Sequence, residues 1–95
     1  MRIVRVSAIA EDDVRGIWAY IADETVKEIV GKFLVLRDYP NIGRAQDRLL
    51  INLRSFTVKD YLIFYQPFDD RVEILRVLHG ARDVERIFES FLDSL

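Results

Sequence analysis

Three basic residues, Arg76, His79 and Arg82, stand close together near the end of the chain. They follow an apolar run typical of a β-strand and continue into a bend that contains Gly80. A histidine can move a proton while arginines hold a negatively charged group, so the trio could take part in catalysis. The same residues could instead form a binding epitope or serve only the fold. Which of these three roles applies depends on the secondary-structure elements that position the trio.

Composition excludes several kinds of site. The 95 residues are enough for one domain, over residues 1–95, and too few for two. The chain has no cysteine, which excludes thiol catalysis, thiolate metal sites and disulfides. Its net charge of −2 argues against a protein that binds nucleic acid by neutralising phosphates. With neither a signal-peptide pattern nor a membrane-length apolar run, we expect a cytoplasmic domain without cofactor, metal or membrane contact.

The first part of the chain predicts a strand followed by a helical hairpin. Residues 2–6 alternate between polar and apolar, which indicates a short strand. From Ala8 to Pro40 the apolar residues recur at helical spacing, in two helices joined by a very short link. Trp18 and Tyr20 are expected to pack in the core and within this hairpin.

The rest of the chain predicts three strands and a final helix. Runs at residues 49–58, 61–65 and 72–78 indicate strands, the first of them broken by a β-bulge near Arg54. An apolar stripe at helical spacing then follows Asp83, which can cap the helix. The predicted fold class is α+β in the order β-α-α-β-β-β(-α), with the helical hairpin packed on a small antiparallel sheet.

Four residues near the turns of the chain are predicted to have structural roles. Gly80 would permit a positive φ in the bend, and Asp83 could pair with an arginine of the trio while it caps its helix. Arg44, which follows Gly43, would clamp the bend between helix and sheet. We therefore treat Gly43, Arg44, Gly80 and Asp83 as a structural motif.

Four segments of the chain form a set that spans most of its length. They are IWAYIAD at 17–23, YPNIGR at 39–44, LRSFTVKDYLIFYQP at 53–67 and VEILRVLHGARD at 72–83. In order and spacing the set resembles the RelE/ParE superfamily of bacterial type II toxins, and most of all its ParE, or plasmid-stabilisation, branch. The hairpin is shorter than in the family by about two helical turns, and such a loss would keep its apolar stripe in phase.

The resemblance implies a toxin that inhibits DNA gyrase by binding it, with no catalytic residue, cofactor or metal. A ParD-like antitoxin would neutralise the toxin by filling an apolar groove. Nucleic acid would be bound only through the antitoxin complex, and the assembly would be a homodimer or a heterotetramer with the antitoxin. The candidates for binding the partner or the target are Arg54, Arg76, His79 and Arg82.

Two alternatives stay open. RelE-like relatives are ribosome-dependent mRNA endonucleases, and that reaction needs a base for the 2′-hydroxyl, an acid and cations. The candidates for these roles are His79, Arg54, Arg76 and Arg82, with Tyr61 or Tyr65 as the acid. The lysine-rich patch expected of that branch is missing, since the three lysines are scattered. The other alternative is a relic that binds antitoxin but is not toxic, because its hairpin is short.

Overall fold

The structure is a computed structural model that describes residues 2–20, 23–80 and 82–93, without the side chains of residues 23 and 91. Within these ranges, no helix has the length and apolar character needed to cross a membrane. The elements in chain order are β1 Ile3–Val6, α1 Ala8–Tyr20, α2 Asp23–Asp38, β2 Arg44–Ala45, β3 Arg54–Val58, β4 Tyr61–Pro67, β5 Arg71–His79 and α3 Val84–Asp93.

The strands form one sheet in the order β1-β5-β4-β3-β2. Strands β3, β4 and β5 make the predicted antiparallel meander, and a tight turn at Lys59 and Asp60 joins the first two. The predicted α+β class, with a helical hairpin on the sheet, is confirmed. The sheet differs from the prediction in two respects, because β1 pairs with β5 in parallel and because the short strand β2 adds to the far edge.

The central strand β4 is buried on both faces. Ile63 and Tyr65 point toward the hairpin and pack in a core that includes Ile29 of α2. Phe64 points the other way and meets Phe88 of α3 edge-on, with ring centroids 5.0 Å apart. Because successive side chains of a strand alternate between faces, a strand covered on both sides must be apolar at every position. This explains the uninterrupted apolar run that marks β4 in the sequence.

A β-bulge in β5 brings its apolar residues into phase with the two cores. The pairing shifts between Phe64 and Tyr65 of β4, which leaves Leu75 as an extra residue on β5. Ile74 and Val77 then both face the hairpin core, although residues three apart in a regular strand point to opposite faces.

The predicted strand over residues 49–58 was wrong in its first half. Residues 47–52 form a region of turns, in which Ile51 is 81% exposed and Asn52 has a φ of 68°. Strand β3 begins only at Arg54. The break in the apolar period is therefore the boundary between turn and strand, and no bulge is needed at Arg54.

Two aromatic residues predicted to pack inside lie on the surface. Trp18 is 61% exposed and Tyr20 is 89% exposed. Helix α1 is buried instead through Ala10 and Ile17, which lie on the side of the helix that faces the sheet. Trp18 and Tyr20 therefore lie at the edge of the apolar stripe of α1 and not at its buried centre.

Replacing Phe88 tests whether α3 is an integral part of the fold. Phe88→Ala is expected to lower the free energy of unfolding by about 3–5 kcal/mol, because it leaves a cavity against Phe64. Leu92→Ala, at a partly exposed site on the same helix, is the control and should change it by less than about 1 kcal/mol. Urea unfolding monitored by circular dichroism measures the free energy of unfolding of both variants. If Phe88→Ala lowers it no more than Leu92→Ala does, α3 is not an integral part of the fold.

Candidate functional site

Arg76, the first member of the basic trio, is tied into the fold by α1. Its Nε and Nη2 donate to the Asp13 carboxylate at 2.8 and 3.0 Å. The two side chains are largely buried, at 17% and 13% exposure. A two-point ion pair of this kind holds both groups in one orientation. Arg76 therefore pairs with Asp13 and not with Asp83, and its guanidinium is already occupied.

Ser7 and helix α1, which Ser7 caps, complete the hydrogen bonding of β5 where β1 ends. The Ser7 hydroxyl donates to the carbonyl of Leu75 at 2.9 Å, and the Asp13 carboxylate accepts the N–H of Val77 at 2.9 Å. The Ser7 hydroxyl oxygen also accepts the N–H of Ala10 at 3.0 Å, which caps α1. Buried strand groups left without partners would be unfavourable, so these two side chains replace the missing neighbour strand.

Arg54 and Tyr65 hold the loop between α2 and β2. The Tyr65 hydroxyl donates to the carbonyl of Pro40 at 2.8 Å and accepts the N–H of Gly43 at 2.9 Å. Arg54 Nη1 donates to the carbonyls of Asn41 and Gly43 at 3.2 and 2.6 Å. Burial raises the pKa of Tyr65 above its usual 10.0, against smaller lowering effects of the Gly43 hydrogen bond and the Arg54 charge. Tyr65 is therefore a protonated structural donor.

Gly43 is required because the chain approaches Tyr65 closely at this point. A Cβ on Gly43 would lie 2.7 Å from Tyr65 Cε1 and 2.9 Å from the carbonyl oxygen of Ser55. Arg44 follows in β2, where it is exposed and pairs with Ser55. The prediction that Arg44 clamps this bend was wrong, because Arg54 makes the hydrogen bonds that hold it.

The bend after β5 is built differently from the prediction. Gly80 has no positive φ, so the role predicted for it was wrong. Its N–H donates to the carbonyl of Asp60 at 2.7 Å, and a Cβ on Gly80 would come within 3.3 Å of the same oxygen. Asp83 then caps α3, since its carboxylate accepts the N–H of Arg86 at 3.3 Å and its carbonyl accepts that of Ile87 at 3.1 Å.

His79 and Arg82, the other two members of the trio, are exposed and line one groove. The groove, of about 330 Å³, lies between α1 and the end of β5, and Gly16, Tyr20 and Tyr61 line it as well. We call it the His79 groove. His79 meets Tyr61 edge-on, with ring centroids 5.3 Å apart. Gly16 and Tyr20 carried no functional signal in the sequence, because only the fold brings α1 beside β5.

The charges around the His79 groove leave one cation exposed. The acidic residues at its rim are paired, Asp13 with Arg76 and Asp12 with Arg15 at 2.7 Å. Among residues 2–20, 23–80 and 82–93, Arg82 has no ion-pair partner. The same ranges contain no group of three or more His, Asp or Glu side chains that could hold a metal ion. The groove is therefore suited to binding a negatively charged group.

The residues that RNA cleavage would need do not converge. Arg54 lies opposite Tyr65 in the sheet, whereas His79 lies opposite Tyr61. Those two tyrosines are four positions apart on β4, a separation of about 13 Å along a strand. Arg76 is held by its buried ion pair. Of the predicted set, His79, Arg82 and Tyr61 line the His79 groove, and Arg54, Arg76 and Tyr65 are not among its lining residues.

A second groove lies on the other side of α1, between α1 and α2. Its volume is about 450 Å³, and we call it the Trp18 groove. Its lining is mostly apolar and consists of Val6, Glu11, Val14, Arg15, Trp18, Val26, Val30 and Phe33. Exposed apolar surface between polar residues is typical of protein contact sites. Sequence reasoning missed it, because it assigned Trp18 to the interior.

Replacing Arg76 tests its assignment to the fold. Arg76→Met is expected to lower the free energy of unfolding by about 3 kcal/mol or more, because it leaves the Asp13 carboxylate buried without its cation. Arg82→Met, at an exposed site, should change it by no more than about 0.5 kcal/mol. Denaturant unfolding of the two variants measures this difference. If Arg76→Met leaves the free energy of unfolding unchanged, Arg76 is again a candidate for binding a partner.

Replacing Tyr65 tests its buried hydroxyl. Tyr65→Phe is expected to lower the free energy of unfolding by about 1–3 kcal/mol, because the Pro40 carbonyl and the Gly43 N–H lose their partner. A raised pKa in the folded state contributes stability that is complete below pH 10.0 and is lost as the pH rises to the folded value. Unfolding measured from neutral to strongly alkaline pH should show that loss in the parent and not in Tyr65→Phe. Tyr39→Phe, at an exposed site, is the control.

The chain matches known toxins over most of its length. Residues 4–84 match the family described as ParE toxin of type II toxin-antitoxin system, parDE. Toxin ParE3 of Caulobacter vibrioides is 31% identical over 64 residues, which make up 67% of this chain and 64% of that protein. The match thus spans less than two thirds of that relative.

Solved structures share the fold. The RelBE2 toxin–antitoxin complex of Mycobacterium tuberculosis gives a TM-score of 0.70 at 24% identity, covering 82% of this chain and 96% of that one. The chromosomal ParDE system of P. aeruginosa gives 0.68 at 19% identity, with coverages of 83% and 96%. At these identities the likeness concerns the fold alone. The match over residues 4–84 is what establishes the family: the chain belongs to the ParE toxins of type II toxin–antitoxin systems.

Proposed function

We propose that this protein is a toxin that inhibits DNA gyrase by binding it, in the cytoplasm, and that a ParD-like antitoxin neutralises it. One observation carries the choice of binding over catalysis. Arg54 and Arg76 are held by loop carbonyls and by Asp13, so they are not available to a reacting phosphate. His79 and Arg82 are left in a groove that can contact a partner but lacks the gathered cations of a nuclease.

The antitoxin contact is supported by the Trp18 groove. Permanent complexes bury more apolar surface than transient ones, and this groove exposes apolar side chains between two helices. An amphipathic antitoxin helix could place its apolar face there. The RelBE2 and ParDE structures with this fold come from systems that pair a toxin with an antitoxin, which supports a partner of the same kind for this chain.

The target contact is proposed for the His79 groove. Of the four candidate binding residues, His79 and Arg82 line this groove, whereas Arg54 and Arg76 serve the fold. The chain's net charge of −2 supports a protein target over direct binding to nucleic acid. The two grooves lie on opposite sides of α1, so antitoxin and target would use different faces of one helix.

A supercoiling assay tests this function. Purified toxin in excess is expected to inhibit gyrase, and Arg82→Glu should weaken the inhibition by about tenfold or more, because it replaces attraction with repulsion. Arg86→Glu, on α3 beyond the opposite face of the sheet, is the matched control and should inhibit like the parent.

Three outcomes would contradict the proposal. Gyrase that stays fully active at excess toxin excludes it as the target. Cleavage of mRNA in stalled ribosomes would favour the RelE-like endonuclease instead. Normal growth after expression without antitoxin would indicate the non-toxic relic.

A further inference from the structure

Gly16 lies in the middle of α1 without an internal reason to be glycine. Among the residues that the structure describes, none has an atom within 4 Å of a Cβ placed on Gly16, and the φ of Gly16 is not positive. Glycine is one of the least favourable residues in a helix interior. Gly43 and Gly80 differ from it, because there a Cβ would meet neighbouring atoms. The fold alone therefore gives no reason for the missing side chain at this position.

The position of Gly16 suggests a reason outside the fold. Gly16 lines the His79 groove, so a side chain at this position would add bulk at the wall of the groove. Gly31 in α2 also has open space around its Cβ, but it lines neither the His79 groove nor the Trp18 groove. The two glycines thus have the same local freedom and differ in whether they border the groove, which makes Gly31 a matched control.

We propose that Gly16 keeps the His79 groove open for an acidic side chain of the protein on which the toxin acts. This inference rests on the proposed function. Arg82 supplies the positive charge, and the carboxylates of Asp12 and Asp13 are already paired with arginines. A single exposed cation fits one carboxylate, whereas a nucleic-acid backbone would need a row of cations.

The occupant is the target and not the antitoxin, because the two grooves differ in character. The Trp18 groove is the larger, at about 450 Å³ against about 330 Å³, and most of its lining is apolar. The His79 groove also has apolar residues in its lining, such as Ile17 and Val77, but more of its lining is charged or polar than in the Trp18 groove. Transient protein interfaces are more polar than permanent ones. Because the antitoxin forms the longer-lived complex, we assign the more polar His79 groove to the target.

Cysteine labelling tests the contact directly, because the chain has no cysteine of its own. Gly16→Cys and Gly31→Cys each give one exposed thiol in a helix, and a maleimide dye reports its accessibility. Saturating gyrase holoenzyme is expected to slow labelling of Gly16→Cys by about tenfold or more and to leave Gly31→Cys within about twofold. If the parent inhibits gyrase, equal labelling of Gly16→Cys with and without gyrase would overturn the proposal, and so would protection by antitoxin alone.

A growth assay decides the same question without assuming gyrase. Gly16→Leu and Gly31→Leu should each raise the midpoint of thermal unfolding by several degrees, because leucine favours the helix. Of these two variants, Gly16→Leu is expected to lose growth arrest and Gly31→Leu to keep it. Arg82→Gln should also lose growth arrest, whereas Arg82→Lys should retain most of it. Full toxicity of a stably folded Gly16→Leu overturns the role of Gly16.

The two proposals fail separately. If the parent arrests growth but does not inhibit gyrase, the proposed target is wrong, and the comparison of Gly16→Leu with Gly31→Leu still decides whether the groove must stay open. If the parent inhibits gyrase and Gly16→Leu inhibits it equally well, the target stands and the inference about Gly16 is wrong.

Discussion

The carboxylate of Asp13 joins the helical hairpin to the sheet. It accepts two hydrogen bonds from Arg76 and one from the N–H of Val77, so one side chain on α1 binds both the side chain and the main chain of β5. The position of α1 over β5 follows from this contact, and both grooves lie along α1. The same contact removes Arg76 from any binding role. This ion pair thus keeps Arg76 in the fold, whereas His79 and Arg82 of the same trio remain at the surface.

The sequence predicts most of the fold because the strongest apolar patterns are local. The continuous run of β4 and the stripe of α3 each reflect burial within one element, and both are confirmed. The prediction failed at residues 47–52, which form turns. Their apolar residues lead to the buried Leu53 and give the sequence the alternating pattern of a strand. Ile51 shows that apolar character alone does not identify a buried residue.

The site was less predictable than the fold because its contacts are long-range. Asp13 and Arg76 are 63 residues apart, and no local pattern links them. Arg54 and Arg44 are alike in sequence terms, yet only the register of β3 on β4 puts Arg54 beside the loop that it holds. Gly16 became informative only when the space around it and the groove beside it were known.

The use of Ser7 and Asp13 along β5 has a consequence for how the sheet can grow. An unpaired strand edge is a template for pairing with another chain, and here the side chains of Ser7, which caps α1, and of Asp13 in α1 occupy part of that edge beyond the end of β1. Within the described residues, the outer edges are β1, of four residues, and β2, of two. Residues 56–58 of β3 extend past β2, so sheet-to-sheet association between copies of this chain has only short ladders to use, each too brief to hold a second chain without help from side chains.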